Sequence, residues 1–423
     1  VTQTHHLPTR AAHDRAALAR LLGDLDPQTF ATEYWGSRLH LASAGARGGD
    51  DFSDLFGLDA VDELVADRGL RTPFLRVARD GSTLPDRAFT SGGGIGAAVA
   101  DQVSDDRLLQ LFADGATIVL QGLHRTWAPV RELSAALAAD LGHPVQVNAY
   151  VTPPQNQGFA DHYDVHDVFV LQVHGEKRWT LRDPVHVDPL RDEPWTERRA
   201  AVEERARQDP ALETTLRPGD CLYLPRGWIH AARALGGVSV HLTIGVHQWT
   251  RSHLGEALLE RARAALAEDP EVRRSLPLGL DLARVDALEG DVEVAREALL
   301  RAVRDLPADQ VVRVMRGRAR SAQRAAPVRP LAQLAAADVL DPDDTLHLRA
   351  HLMLEVLPGT GEDVVVSSRA GRFGMPSASL PGLRRLLDTE VVQVGDLADD
   401  PGEALALARL LVRRGVALVG WDG

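Results

Sequence analysis

His162 and Asp164 stand two residues apart, and a second histidine, His230, follows the turn Pro225-Arg226-Gly227-Trp228. Two imidazoles and one carboxylate can cap one face of an octahedral metal. That donor set suits non-haem Fe(II) and leaves adjacent positions open for a bidentate 2-oxo acid and O2. Residues two apart on a strand face the same way, so His162 and Asp164 can point together into one barrel mouth. His-x-Asp alone is a weak signal. It gains weight from the apolar run Val168 to Val173 behind it and from the distal histidine behind a Pro-Arg-Gly turn. His166 competes as a ligand, and zinc also accepts such donors, although no further ligand pattern supports zinc.

A 2-oxoglutarate co-substrate needs a cation for its far carboxylate. Lys177 follows the tight turn His174-Gly175-Glu176, from which it can re-enter beside the metal strand, and lysine is scarce in this chain. Alternation puts Ser239, His241, Thr243 and Gly245 on one face of a later strand, where Thr243 could bond the same carboxylate. Asn148 and Tyr150 share a face of the strand leading to the metal loop, placed to orient a substrate group and the metal-bound acid. Taken singly, each of these residues is as readily a satisfied core or surface group. His174, His241 and His247 read as core or rim histidines.

The elements that must position these groups are short strands separated by Gly and Pro: 145–151, 168–173, 178–181, 214–216, 221–224 and 238–246. That spacing predicts an antiparallel barrel or jelly roll. A strand over 72–77 and another over 116–120 precede them, with a helix over 129–141 carrying Leu133, Leu137 and Leu141 on one stripe. A charged, helical insert is expected over 193–208. Beyond Trp249 the pattern turns helical: 254–267, 292–303 and a basic helix over 309–319. Pro327 and Pro330 mark a linker, and the helices and small terminal strands after it suggest a winged-helix-like module.

The chain has 423 residues and a formal charge of −13, which suits two or three domains and argues against a general nucleic-acid or membrane-surface binder. From Leu331 to Gly423, eight Arg face fourteen Asp and Glu, so that module is a poor reader of DNA. The lone cysteine, Cys221, excludes an internal disulfide and iron–sulfur or zinc-finger clusters, and reads as a buried structural thiol. The glycine-rich stretch from Ser91 to Gly96 lacks the lysine of a phosphate loop. Residues 1–12 read as a loose tail without a signal-peptide core, and no apolar run is long enough to span a membrane. A cytoplasmic protein is expected.

Asn148-Ala149-Tyr150, His162-Tyr163-Asp164, the run from Val168 to Gln172, Gly175 to Trp179 and Leu222 to His230 together resemble the cupin-like Jumonji-C (JmjC) family of ribosomal oxygenases. The Glu33-Tyr34-Trp35 entry and the helical, acidic C-terminal portion fit the same resemblance. It implies a mainly β catalytic core, a double-stranded β-helix, over residues 1–250. It also implies a helical dimerisation segment over 251–326 and a winged-helix-like domain over 327–423 that does not read DNA. Fe(II) would be held by His162, Asp164 and His230, with 2-oxoglutarate and O2 as co-substrates. Lys177 would hold the far carboxylate, and Asn148 and Tyr150 would line the substrate side. The implied reaction hydroxylates an arginine or histidine side-chain carbon in a ribosomal protein or peptide. The chain departs from the family at Gly245, where some members carry a serine that helps hold the target. N-methyl-lysine demethylation at the same iron, or a silent cupin serving as a binding module, are the rival readings.

Overall fold

The computed structural model describes residues 15–420 apart from 80, 155, 157 and 158; the tail expected over 1–12 lies outside them. The described chain divides into two compact units, one through Gln248 and one from Trp249 onward.

The first unit is built on strands β1 (His40–Ala42), β2 (Leu75–Arg79), β3 (Ser82–Thr83), β4 (Thr90–Ser91), β5 (Gln102–Val103), β6 (Thr117–Leu120), β7 (Val145–Thr152), β8 (Asp167–Arg182), β9 (Leu212–Leu216), β10 (Cys221–Leu224) and β11 (Ile229–Val246). β4 and β5 pair with each other. The rest form one antiparallel sheet in the order β1-β10-β8-β11-β7-β6-β2-β3, with β9 also on β8.

Two long strands close this sheet into a double-stranded β-helix. The first half of β8 pairs with β10 and the second half with β9, while β11 follows β8 along both halves. The turn expected at His174-Gly175-Glu176 is therefore a bend inside one strand of 16 residues. Gly175 makes the bend possible. Its φ is +63°, and a Cβ there would come within 2.1 Å of the Val238 carbonyl oxygen, so only glycine lets the backbones pass. β11 answers with register shifts between Leu235 and His241. Both halves stay hydrogen-bonded, and the chain bends without reversing.

Alternation sorts the side chains. Phe169, Leu171, Val147, Ala149, Leu242 and Ile244 pack outward against the helix Ala128–Leu141 through Val130, Leu133 and Leu137. Val168, Val170, Trp179, Leu181, Leu222 and Leu224 form a separate inner cluster. Each fully buried side chain of this size contributes about 1.5–3 kcal/mol. Cys221 is buried, and burial pushes its thiol up to about 12, as suits an inert core residue. The charged insert is helical at Arg199–Ala206, as its composition suggests.

Asp167, fully buried at the start of β8, ties the fold to the turn before His230. One carboxylate oxygen accepts from Arg226 N–H at 2.9 Å, and the other accepts from the Tyr223 hydroxyl. Tyr223 in turn accepts from Gly36 N–H at 2.8 Å, which anchors the aromatic entry segment. Asp167→Ala strands both donors in the core and is expected to cost about 3 kcal/mol, read as a lower urea midpoint with unchanged slope.

The second unit holds the helices Arg251–Leu266, Glu289–Arg304 and Ala308–Ala322, each slightly longer than the sequence suggests. The arginines of the basic helix are engaged within the unit: Arg318 reaches Glu256 and Glu260, Arg320 reaches Glu355, and Arg313 reaches Asp309. After the helix Pro330–Asp338, the terminal strand Ala417–Val419 pairs with Thr345–Leu348. Thr345–Leu348 also pairs with Val391–Gln393, so a three-stranded sheet replaces the expected terminal pair. A second antiparallel sheet, Glu355–Pro358, Asp363–Ser368 and Gly371–Pro376, was legible only at its middle strand. Its outer strands carry Pro and Gly, which mask the alternation. Among the described residues, no helix is long and apolar enough to cross a membrane.

Candidate metal centre and co-substrate pocket

His162 and Asp164 precede β8 and are not part of a strand. An isolated antiparallel bridge joins His162 to His230 instead: each backbone N–H donates to the other's carbonyl, at 3.2 and 2.8 Å. This bridge places the two imidazoles side by side, with ring centroids 4.4 Å apart. One ligand atom from each of His162, Asp164 and His230 lies within 4.8 Å of the others.

The donor set fits a divalent metal. His162 Nδ1 bonds the Ala160 carbonyl at 2.7 Å and His230 Nδ1 bonds the Trp228 carbonyl at 3.0 Å. These contacts fix the tautomers and leave each Nε2 as the free donor atom. His230 Nε2 is 3.7 Å from Asp164 Oδ2, too long for a hydrogen bond and suited to a shared ion. Burial, reinforced by the neighbouring His162, pushes His230 down to about 4, so it is a neutral imidazole at pH 7. Burial alone would raise the Asp164 carboxyl, but the basic side chains around it, Arg76 among them, outweigh that and hold it below the usual carboxylate range.

The triad lines one cavity together with Thr117, Tyr150, Lys177, Trp179, His241 and Thr243. Lys177 is 3% exposed and is the sole lysine among the chain's 47 basic residues. Its Nζ donates to Thr152 Oγ1 at 3.0 Å and lies 3.4 Å from His241 Nδ1. Neither contact is a carboxylate, and burial pushes the amine down to about 7. His241 is driven well below its usual range by burial and by Lys177, so it faces the amine as a neutral ring. It stacks on Tyr150, with centroids 4.9 Å apart and planes at 6°. Trp179 Nε1 is buried with no partner, a spare donor on the same face of β8 as Lys177. A buried amine and a buried, unpartnered indole N–H on two residues that line one cavity suit an anion.

The structure thus gathers His162, Asp164, His230, Lys177, Tyr150 and Thr243 around one space. Asn148 stands apart from the cavity lining: its Oδ1 accepts from Gly122 N–H at 3.1 Å. The hydroxyl that meets Lys177 is Thr152, whereas Thr243 lines the wall. Thr152 and Trp179 carry no role in the sequence reading, and His241, read there as a core or rim histidine, lines the cavity; stepping by two from Tyr150, Lys177 and Thr243 reaches each of them. Thr117 and Arg76 come from strands far earlier in the chain, and no local pattern connects them to the triad.

The strand order defines a cupin-like β fold that carries the triad, and residues 126–254 match the family model described as JmjC domain. That model covers under a third of the chain, and the curated proteins similar to it include ribosomal oxygenases. Over 154 residues it is 41% identical to Ribosomal oxygenase 1 of Rattus norvegicus, covering 35% of this chain and 25% of that protein. Over 266 residues it is 30% identical to the bifunctional lysine-specific demethylase and histidyl-hydroxylase NO66 of Drosophila grimshawi, covering 62% and 35%. The chain therefore spans about a third or less of the length of these relatives. Its fold is that of the Escherichia coli ribosomal oxygenase YcfD, with a TM-score of 0.53 at 20% identity over 93% of this chain and 98% of that one. A YcfD structure in complex with cobalt and 2-oxoglutarate aligns with a TM-score of 0.52 at 19% identity, covering 94% and 99%.

Proposed function

We propose that this chain is an Fe(II)- and 2-oxoglutarate-dependent oxygenase that hydroxylates a side-chain carbon, of Arg or His, in a ribosomal protein or peptide. The observation that carries the reading is the placement of a two-histidine, one-carboxylate group and the chain's only lysine in one cavity. The relatives' names, ribosomal oxygenase and histidyl-hydroxylase, support the same class.

In this reading His162, Asp164 and His230 hold the iron, which supplies the oxidising chemistry when 2-oxoglutarate and O2 are bound. The chain's own groups orient and shield. Lys177 and Trp179 Nε1 bind the far carboxylate by charge-assisted and neutral hydrogen bonds. Thr152 and neutral His241 hold the amine in place. Tyr150, stacked on His241, walls the pocket, and Val168, Val170 and Leu224 exclude water around it. An anaerobic titration with Fe(II) and 2-oxoglutarate tests this arrangement. The visible charge-transfer band of a chelated 2-oxo acid is expected, and its absence with both ligands at saturation contradicts the assignment.

The pH dependence of co-substrate affinity follows from Lys177. Burial pushes the free amine down to about 7; a bound carboxylate favours the ammonium and raises that value. Below pH 7 the amine is already charged and affinity is flat. Above it, binding must take up a proton, and the affinity for 2-oxoglutarate should fall by up to about tenfold per pH unit. Calorimetry across pH 6–9 in buffers of different ionisation heat reads both the slope and the proton.

We further propose the three-part organisation 1–250, 251–326 and 327–423, a cytoplasmic setting, and a homodimer through the helical segment. The long helices of that segment bury only Ala257, Ala262, Ala298 and Val311, whereas Leu254, Leu259, Val292, Val294, Leu300 and Val312 are between 43% and 60% exposed. Apolar surface on this scale calls for a covering partner, and a second copy supplies one of matching chemistry. Light scattering should give twice the chain mass for wild type and the single-chain mass for Leu259→Glu. The C-terminal part is acidic, and Arg349, Arg369 and Arg409 donate to carbonyls of their own unit, which supports a role other than reading DNA.

A further inference from the structure

Lys177 is the only lysine in the chain, and every other residue of the Lys and Arg set is an arginine. Guanidinium groups stay protonated, so Lys177 is the one member of that set that can present a lone pair. It is 3% exposed, and its contacts are a hydroxyl and an imidazole, with no carboxylate. Burial pushes the free amine down to about 7, so a large share of it is uncharged at neutral pH. A desolvated amine in a cavity is a nucleophile.

The groups around the amine suit an anion attached to it. Trp179, two residues on along β8, lines the same cavity, and its Nε1–H is buried without a partner. The indole stands edge-on to His241, with ring centroids 5.5 Å apart at 85°, and His241 Nδ1 is 3.4 Å from Lys177 Nζ. The Thr152 hydroxyl accepts from the amine at 3.0 Å and can turn to donate instead. Burial drives His241 well below its usual range and raises Tyr150, so β11 and β7 present a neutral ring and a neutral phenol at this end. Asp164, the one carboxylate among the described lining residues, belongs to the metal group. A small electrophile that becomes an anion on bonding to nitrogen fits this surrounding. CO2 is such an electrophile, and turnover of a 2-oxo acid to succinate releases it in this cavity.

We propose that Lys177 is a carbamylation site: CO2 adds to its amine, and the carbamate, held by Trp179 Nε1–H and the Thr152 hydroxyl, closes the pocket to 2-oxoglutarate. The Nζ lone pair forms an N–C bond, one C–O π pair moves onto oxygen, and Nζ gives up one proton. His241 Nδ1 takes that proton when the ring hydrogen sits on Nε2, and passes it to buffer. Nothing is oxidised or reduced. A bound 2-oxoglutarate carboxylate favours the ammonium, which CO2 cannot attack, and the carbamate repels that carboxylate, so the two exclude each other. This closure rests on the 2-oxoglutarate reading; the carbamate itself does not.

The test equilibrates the whole chain, with and without Zn(II) as a redox-silent metal, in carbon-13 bicarbonate at neutral pH. A trialkyloxonium reagent then methylates any carbamate, and peptide mapping by mass spectrometry locates it; the terminal α-amine serves as the reference for an ordinary exposed amine. Labelled methyl carbamate is expected on Lys177 at higher occupancy than on the α-amine. Saturating 2-oxoglutarate with Zn(II) should lower it by about tenfold or more, and Trp179→Phe should lower it by about tenfold, the loss of one hydrogen bond to an anion. Calorimetry should show the matching loss of 2-oxoglutarate affinity in wild type as CO2 rises at fixed pH. Label confined to the α-amine, or occupancy unchanged in Trp179→Phe, overturns the proposal. Label on Lys177 that bound 2-oxoglutarate does not displace supports the carbamate and overturns the assignment of Lys177 to the co-substrate.

Discussion

Asp164→Asn is expected to abolish metal retention and to lower kcat/KM by about a thousandfold or more, some 4 kcal/mol of transition-state stabilisation. The carboxylate is the only anionic donor in the triad, and burial holds the His230 imidazole beside it neutral. An amide of the same shape keeps the packing but removes the charge that balances a divalent cation. The folded state should therefore survive. The variant's thermal midpoint without metal is expected to match wild type, while the stabilisation that added Co(II) gives wild type disappears. A variant that keeps its metal with wild-type affinity would remove Asp164 from the site.

The second large effect is at Lys177. Lys177→Met should weaken 2-oxoglutarate binding by about a hundredfold, the loss of a buried charge-assisted contact. The same substitution should stabilise the protein without co-substrate by about 2 kcal/mol, because it removes a desolvated amine that has no carboxylate partner. Loss of function with a gain in stability marks a group kept for its ligand. Lys177→Arg should not rescue binding, although arginine is the base used everywhere else in this chain. Thr152 and His241 each meet the Lys177 Nζ as a single point, contacts that a longer, planar guanidinium does not reproduce. Calorimetry with 2-oxoglutarate and a urea melt on both variants separate these effects.

Much of this site was legible in the sequence because its chemistry is local. His162, Asp164 and Lys177 lie on one stretch, and the Pro-Arg-Gly turn announces His230. What remained hidden depends on how strands meet. Gly175 reads as a turn, and only the register of β11 against both halves of β8 shows it to be a bend that carries Lys177 back under the triad. Asn148 and Tyr150 look equivalent by alternation, yet Gly122 engages one while the cavity exposes the other. His166 looks like a ligand by spacing, but it leans away onto Gly245, a contact between residues far apart in sequence. The demethylase reading keeps the same iron and differs only in the mass lost or gained by the target. The silent-cupin reading is set against a triad with metal-ligand geometry and a buried lysine that has no carboxylate partner.

The central claim is tested most directly by incubating wild-type protein with Fe(II), 2-oxoglutarate, O2 and intact host ribosomes, then mapping modified residues by mass spectrometry while counting succinate. The predicted result is the gain of one oxygen atom at an Arg or His side-chain carbon of a ribosomal protein, matched by succinate and absent in Asp164→Asn. Succinate formed with no oxygenated residue, or the loss of a methyl group from a lysine in place of that gain, would contradict it.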